Sequence, residues 1–197
     1  MNKTKSAFFC SSCGTQHSKW AGRCTYCGEW NTIIEEVVVV DKSKKGFQSD
    51  QKIKPVLLSE VVAEENFRLD SKNQEFNRVL GGGIVPGSII LLGGEPGIGK
   101  STLMLQLALK MNHQKILYVS GEESNQQIKM RADRLQHHNN SLYLFAETNT
   151  QSIFQQIENL NPDILIVDSI QTITTPYIDS SAGTISQVRE SAAELHR

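Results

Sequence analysis

Long apolar runs are missing from this 197-residue sequence. No stretch approaches the roughly 20 consecutive apolar residues that a membrane-spanning helix needs. Met1 to Phe9 carries Lys3 and Lys5 but only Ala7-Phe8-Phe9 as an apolar run, too short for the hydrophobic region of a signal peptide. The expected location is therefore cytoplasmic, with no membrane partner. Charge of one sign is not in excess either. The net charge is −1, so nucleic-acid binding cannot be argued from it. Its distribution is uneven: residues 1–54 hold nine Lys/Arg against five Asp/Glu, and residues 55–197 hold eleven against sixteen. A basic N-terminal arm suits a phosphate backbone and a solvated tail equally well. Internal repeats are absent. Cysteine is scarce, four in all, and every one lies between positions 10 and 27.

That clustering is the first positive signal. Cys10-Ser11-Ser12-Cys13 and Cys24-Thr25-Tyr26-Cys27 form two C-x2-C hooks separated by ten residues. Two such hooks supply four thiolates in a tetrahedron, which suits Zn²⁺, and four sulfurs leave no position open for water. The site is therefore expected to be structural. Disulfides are disfavoured in a cytosolic chain and a redox pair by the duplication of the hook, which leaves a four-thiolate iron centre as the alternative. Gly14 and Gly28 each follow a hook, where a tight turn frees backbone N–H groups to face sulfur. His17 is not expected to ligate, because four cysteines fill the shell. Trp20, Tyr26 and Trp30 are expected to cover the small knuckle rather than to stack on bases.

The second signal is Gly94-Glu95-Pro96-Gly97-Ile98-Gly99-Lys100-Ser101, a full match to the phosphate-loop pattern GxxxxGK[ST], followed by Thr102. Glycines there let backbone N–H groups close around a phosphate, and the helix that begins at the loop adds its positive dipole end. Lys100 is expected to reach the β- and γ-phosphates, and the Ser101 hydroxyl to ligate Mg²⁺. The nucleotide expected is Mg-ATP. Ile164-Leu165-Ile166-Val167-Asp168 reads as an apolar strand ending in a carboxylate, the arrangement that holds the other side of Mg²⁺; the plainer reading of Asp168 is a turn residue. Glu122 and Glu123 follow a strand at the carboxyl edge of a parallel sheet, where one of them is a candidate base, with Glu122 preferred. Their plainer reading is that of acids favoured at a helix start.

Between these motifs, strands and helices alternate. Val37–Val40 reads as a short strand closing a first module, residues 1–40, and the polar stretch 41–54 as a linker. A core domain, residues 55–197, follows. Strands are expected at Ser88–Leu92, Ile116–Ser120, Leu142–Phe145 and Ile164–Val167. Helices are expected around Ser71–Leu80 before Gly81-Gly82-Gly83, from Lys100 to Met111, from Ser124 to Leu135, from Thr150 to Leu160, and over Gly183–His196. Short apolar strands alternating with helices argue an α/β fold with a mainly parallel sheet.

Three features in combination resemble the bacterial RadA (Sms) family of RecA-like DNA repair ATPases. They are the N-terminal cysteine ribbon ending in Cys27-Gly28-Glu29-Trp30-Asn31-Thr32, the run Val79-Leu80-Gly81-Gly82-Gly83-Ile84-Val85-Pro86-Gly87-Ser88 leading into the phosphate loop, and Tyr118-Val119-Ser120-Gly121-Glu122-Glu123-Ser124 with Val167-Asp168-Ser169-Ile170-Gln171-Thr172. The resemblance implies a RecA-like ATPase core behind a zinc ribbon, assembly into a hexameric ring, and ATP-driven translocation on single-stranded or branched DNA. It also implies branch migration of recombination intermediates alongside the recombinase machinery. It further implies that Thr172–Gly183 sits where such folds carry a DNA-contacting loop, although that segment has no Lys or Arg. The family continues into more core strands, a Lys-Asn-Arg-Phe-Gly motif and a Lon-like domain. The chain is therefore read as an N-terminal portion with an incomplete core, and nucleotide binding is expected more firmly than turnover. Two other classes remain: an ATP-gated signalling assembly like the circadian-clock ATPases, and a ribbon adaptor in which nucleotide acts as a switch.

Overall fold

In the computed structural model, residues 3–40, 57–60 and 67–196 are described. The linker expected over 41–54 lies outside them. The chain divides into two compact units, one comprising Met1–Val40 with Leu92–Arg197 and the other Asp41–Leu91. No described helix is long and apolar enough to cross a membrane.

The larger unit holds two sheets. One is antiparallel, built from β1 (Lys3–Cys10), β2 (Gln16–His17), β3 (Ile33–Val40) and β7 (Ile178–Asp179), in the order β2-β1-β3-β7. The other is parallel, built from β4 (Ile116–Ser120), β5 (Leu142–Ala146) and β6 (Ile164–Asp168), in the order β5-β4-β6. The helices are α2 (Lys100–Lys110), α3 (Asn125–Arg134), α4 (Thr150–Leu160) and α5 (Ile185–Leu195). Every residue of the central strand β4 is buried, as expected for a strand covered on both faces.

Alternation along β4 sorts its side chains into two cores. Tyr118 packs with Leu105, Leu109 and Ile128 beneath α2 and α3. Leu117 and Val119 pack with Ile153 and Ile173 on the opposite face, where Ile157, Leu160 and Leu195 bring in α4 and α5. The helix starts follow their capping residues. Ser124 and Gln127 form a reciprocal capping box on α3, and the Asn149 side chain accepts from the Gln151 and Ser152 amides at the start of α4. Asn161, in the left-handed conformation, ends α4 before Pro162.

In the smaller unit, α1 (Gln74–Val79) is capped by Asn73, and Leu69 pairs with Ile84 in an antiparallel bridge. Arg68 donates to the carbonyls of Leu80 and Gly83, fastening the turn after α1. The strand expected at Ser88–Leu92 does not form. Ile89, Ile90 and Leu91 are 61%, 40% and 85% exposed and belong to no ladder. A short apolar run is compatible with a strand, but it becomes one only where a neighbouring strand supplies ladder partners.

The core account gives a direct stability test. Ile153→Ala, which empties a fully buried site, is expected to lower unfolding free energy by about 2–5 kcal/mol. Asn149→Ala, which removes a helix cap, is expected to cost about 1 kcal/mol. Urea denaturation measures both; equal losses from the two variants would contradict the assignment of Ile153 to the core.

Candidate nucleotide site and metal centre

The parallel pairing is in register, with Ser120 opposite Asp168 on one side and Ala146 on the other. All three strands therefore end at one edge, the carboxyl edge where α/β sheets bind ligands. The glycine-rich loop arrives there from Gly94 and turns into α2 at Gly99, which caps the helix in the left-handed conformation at φ 100°. A side chain at Gly99 would strain that turn. Ser101 consequently stands in the first turn of α2, facing the end of β6. Its hydroxyl donates to Asp168 Oδ1 at 2.9 Å. Thr102, beside it, is exposed. The Lys100 ammonium donates to the carbonyls of Gly94 and Glu95, each at 2.8 Å, so the loop folds around its own lysine.

Asp168 shares a sheet face with Tyr118, because both lie on the side that α2 and α3 cover. The Tyr118 hydroxyl donates to Asp168 Oδ2 at 2.5 Å. Burial, reinforced by the bond to Asp168, holds the phenol above its ordinary range, so it remains a donor. Both carboxylate oxygens of Asp168 thus accept from hydroxyl groups, and neither bond involves a cation.

Glu122 and Glu123 follow β4 after one intervening residue, Gly121. Gly121 before them must be glycine, since a Cβ there would lie 2.2 Å from Thr172 Oγ1 and 3.0 Å from Thr148 Cγ2. The two acids have different partners. Glu122 Oε1 accepts from Ser169 Oγ at 3.0 Å, whereas Glu123 Oε2 pairs with Arg131 Nη2 at 2.7 Å. Arg131 also reaches the Tyr118 hydroxyl at 3.5 Å, and its Nε is buried without a partner. Ser101, Ser120, Glu122, Glu123, Arg131 and Asp168 together line a cleft of about 200 Å³.

The sequence pattern missed Tyr118 and Arg131. A tyrosine inside an apolar strand reads as core, and its hydroxyl, which needs a partner once buried, is the signal that could have exposed it. Arg131 lies seven residues beyond the cap of α3, two helical turns along, and only the packing of that helix brings it back over the edge of the sheet.

The segment after Asp168 is less open than its composition implies. A 3-10 turn covers Ile170–Thr172, and Ile173 and Thr175 are buried. The buried Gln187 side chain accepts from the Thr175 amide and donates to the carbonyls of Ile178 and Ser180, pinning the segment to α5.

At the other end of the unit the two cysteine hooks close on each other. The four sulfurs lie within 4.8 Å of one another. Cys10 and Cys27 are 3.6 Å apart, as are Cys13 and Cys24. The Gly14 and Gly28 amides donate to the carbonyls of Cys10 and Cys24, closing the two turns. His17 Nε2 approaches Cys24 Sγ at 3.4 Å, beside the sulfur cluster rather than within it. Burial raises the Cys10 thiol, but its hydrogen bonds with the Thr32 side chain and with the Cys13 and Ser12 amides outweigh it and bring it down to about 6. The Glu29 amide lowers Cys27, but burial and the three neighbouring sulfurs outweigh that and push it up to about 12. Such divergence between Cys10 and Cys27 is what crowding imposes on neighbouring thiols, and a cation relieves it. Trp20, Tyr26 and Trp30 are 59%, 79% and 68% exposed, with the edges of both tryptophan rings lying against Gly22. The cluster is too small to bury three large rings.

Fold and sites together define an α/β phosphate-loop domain carrying a four-cysteine ribbon. Residues 55–195 match the family described as an AAA domain, and the chain belongs to that family. Residues 8–35 match a rubredoxin metal binding domain. Among curated relatives, proteins named DNA repair protein RadA are similar across nearly the whole chain. That of Streptococcus pyogenes serotype M1 is 51% identical over 99% of the chain, that of Chlamydia trachomatis serovar D 47% over 98%, and that of Bacillus subtilis strain 168 45% over 99%. The chain spans 44%, 43% and 44% of their respective lengths. The resemblance read from the motifs is thereby borne out.

The metal centre has a clear signature. Elemental analysis is expected to find about one equivalent of thiophilic metal per chain. Cys24→Ser should lose most of it, and retention should fall as pH drops, since protons compete for the same sulfurs. A folded chain that holds no metal at neutral pH under reducing conditions contradicts this.

Proposed function

We propose that the chain is the nucleotide-binding part of a DNA-dependent ATPase of recombinational repair. The observation that carries the reading is the convergence of Ser101, Tyr118 and Asp168 at the carboxyl edge, beside a phosphate loop. In this reading the backbone N–H groups of the loop from Gly94 to Gly99, which Glu95, Gly97 and Ile98 help supply and whose turn Pro96 shapes without a donor of its own, cradle the phosphates of ATP, with Thr102 extending the helix start. Lys100 exchanges its loop carbonyls for the β- and γ-phosphates. The cleft supports a Mg²⁺ requirement on charge grounds: three carboxylates against one guanidinium would repel a bare polyphosphate. Ser101 and Asp168 would hold the ion, which would screen that repulsion and polarise the terminal phosphate.

The different tethers of the two acids support Glu122 as the group that accepts a proton from the attacking water. Its partner is a single hydroxyl, which leaves lone pairs available. Glu123 is engaged by Arg131 in a partly buried ion pair, and its role is to fix α3 against the strand end. The sulfur cluster is read as Zn²⁺, which favours four thiolates in a tetrahedron.

DNA as the partner is supported by the relatives' shared name, DNA repair protein RadA. Ring assembly as a hexamer, translocation on single-stranded or branched DNA, branch migration and cooperation with recombinase machinery are proposed for the whole protein on the family resemblance, as is the cytoplasmic location. A signalling assembly or an adaptor would hydrolyse ATP at a rate indifferent to DNA.

The test is ATP turnover, with and without single-stranded DNA, in a chain of the relatives' full length. Stimulation that vanishes in Lys100→Ala is expected, whereas a rate unchanged by DNA in the wild type would sink the reading. Glu122→Gln is expected to lower kcat by about 100-fold or more with KM retained, and Glu123→Gln by less. Tyr118→Phe should raise the Mg²⁺ concentration needed for half-maximal activity by roughly 10- to 100-fold, the usual cost of losing a group that orients a metal ligand. An unchanged Mg²⁺ requirement would remove Tyr118 from the site.

A further inference from the structure

We propose that the ribbon carries a stacking platform for single-stranded DNA, formed by Trp20, Trp30 and Tyr26 with the cations Lys19 and Arg23. The inference rests on the DNA-repair reading above for its partner, and on the ribbon's own surface for its place.

Three large aromatic rings stand more than half exposed on a module of about 30 residues. Large aromatic rings left this exposed are surface available to a ligand that can cover them. Their neighbours decide what fits. From Gln16 to Thr32 there is no Leu, Ile, Val, Met or Phe, so the segment that carries the rings adds no large aliphatic side chains of the kind found in a protein interface core. Charge points the same way. Between Gln16 and Gly28 the only formally charged side chains are Lys19 and Arg23, both cationic and exposed. The next acid, Glu29, accepts from Ser12. Flat rings interleaved with cations, on a segment without large aliphatic side chains, are the chemistry that binds unpaired bases and their phosphates.

The platform is also held in place. Arg23 and Trp30 face each other across an antiparallel bridge, and the Arg23 guanidinium lies 5.6 Å from the centroid of the Trp30 ring. Arg23 Nε donates to the Gly28 carbonyl at 2.8 Å, and the Asn31 amide to the Gly22 carbonyl at 2.8 Å. Trp20 and Trp30 both approach Gly22: a Cβ there would lie 3.9 Å from the edge of each ring. Tyr26 lies within the second cysteine hook and Trp20 and Trp30 flank it closely on either side, so metal binding at the hook restricts their spacing before any base arrives. A platform ordered in advance loses little side-chain entropy on binding.

The chain contains two tryptophans, Trp20 and Trp30, and its indole fluorescence therefore reports on this surface alone. The metal-loaded chain is titrated with an oligothymidine, and with a blunt duplex of equal length, while tryptophan emission is followed. Saturable quenching by the oligothymidine, weakened by added salt and much smaller with the duplex, is expected. Trp20→Ala and Trp30→Ala should each weaken binding by roughly 5- to 100-fold, measured by anisotropy of a labelled oligothymidine. Trp20→Phe should restore most of the affinity, and metal content should be unchanged in every variant. Lys100→Ala should leave the quenching intact, which separates this site from the nucleotide site. Two results overturn the platform. One is the absence of quenching. The other is a labelled oligothymidine that binds equally well to wild type and to Trp20→Ala; that outcome leaves DNA binding standing and moves it elsewhere on the protein.

Discussion

The in-register pairing of β4 with β6 is the constraint on which the candidate nucleotide site depends. It sets Ser120 opposite Asp168, and the two-residue alternation of strands then puts Tyr118 and Asp168 on the same face. That face is the one α2 and α3 cover. Ser101, in the first turn of α2, therefore meets the carboxylate from one side while the Tyr118 hydroxyl meets it from below. A slip of one residue in β6 would turn Asp168 toward α4 and α5 and bury a charge among Ile153, Ile157 and Leu160. The apolar pattern of the strand and the position of the carboxylate thus enforce the same register.

The ribbon solves a different problem. It has too little apolar content to build its own core, and among its described residues only Ala7, Cys10, Cys24 and Ile33 are buried apolar side chains. Four sulfurs drawn together around a cation take the place of that core, as in other small metal modules. The ribbon is nevertheless part of the larger unit. β3 continues the pairing to β7, with Val37 opposite Asp179 and Val38 opposite Ile178, and Arg189 Nη1 of α5 donates to the Gly14 carbonyl at 3.3 Å. The segment after Asp168 is therefore held over residues 175–180 both by Gln187 and by the ribbon's last strand. That arrangement ties the metal module to the stretch of chain leaving the nucleotide site.

Legibility from sequence followed the range of the signal. The cysteine hooks, the phosphate loop and the apolar strand ending at Asp168 are contiguous, and each element formed where its pattern placed it. The amphipathic stretch from Thr150 to Leu160 became a helix with those bounds, because its cap and its terminator are both local. Ser88–Leu92 failed because strand formation needs a partner that the run itself does not encode. Tyr118 and Arg131 were invisible because their importance arises from register and from helix packing, which connect residues far apart in the chain. The aromatic residues of the ribbon, expected to cover the knuckle, stand on it more than half exposed, because so small a module has little interior to offer.

What unites these observations is the claim that Asp168 and Ser101 hold the metal ion of a bound nucleotide. Calorimetric titration of the chain with ATP, in the presence and absence of Mg²⁺, tests this most directly when wild type is compared with Asp168→Asn. The account predicts that Mg²⁺ strengthens ATP binding to the wild type and that Asp168→Asn abolishes this gain while leaving the metal-free affinity close to that of the wild type. Identical Mg²⁺ dependence in the two proteins would contradict it.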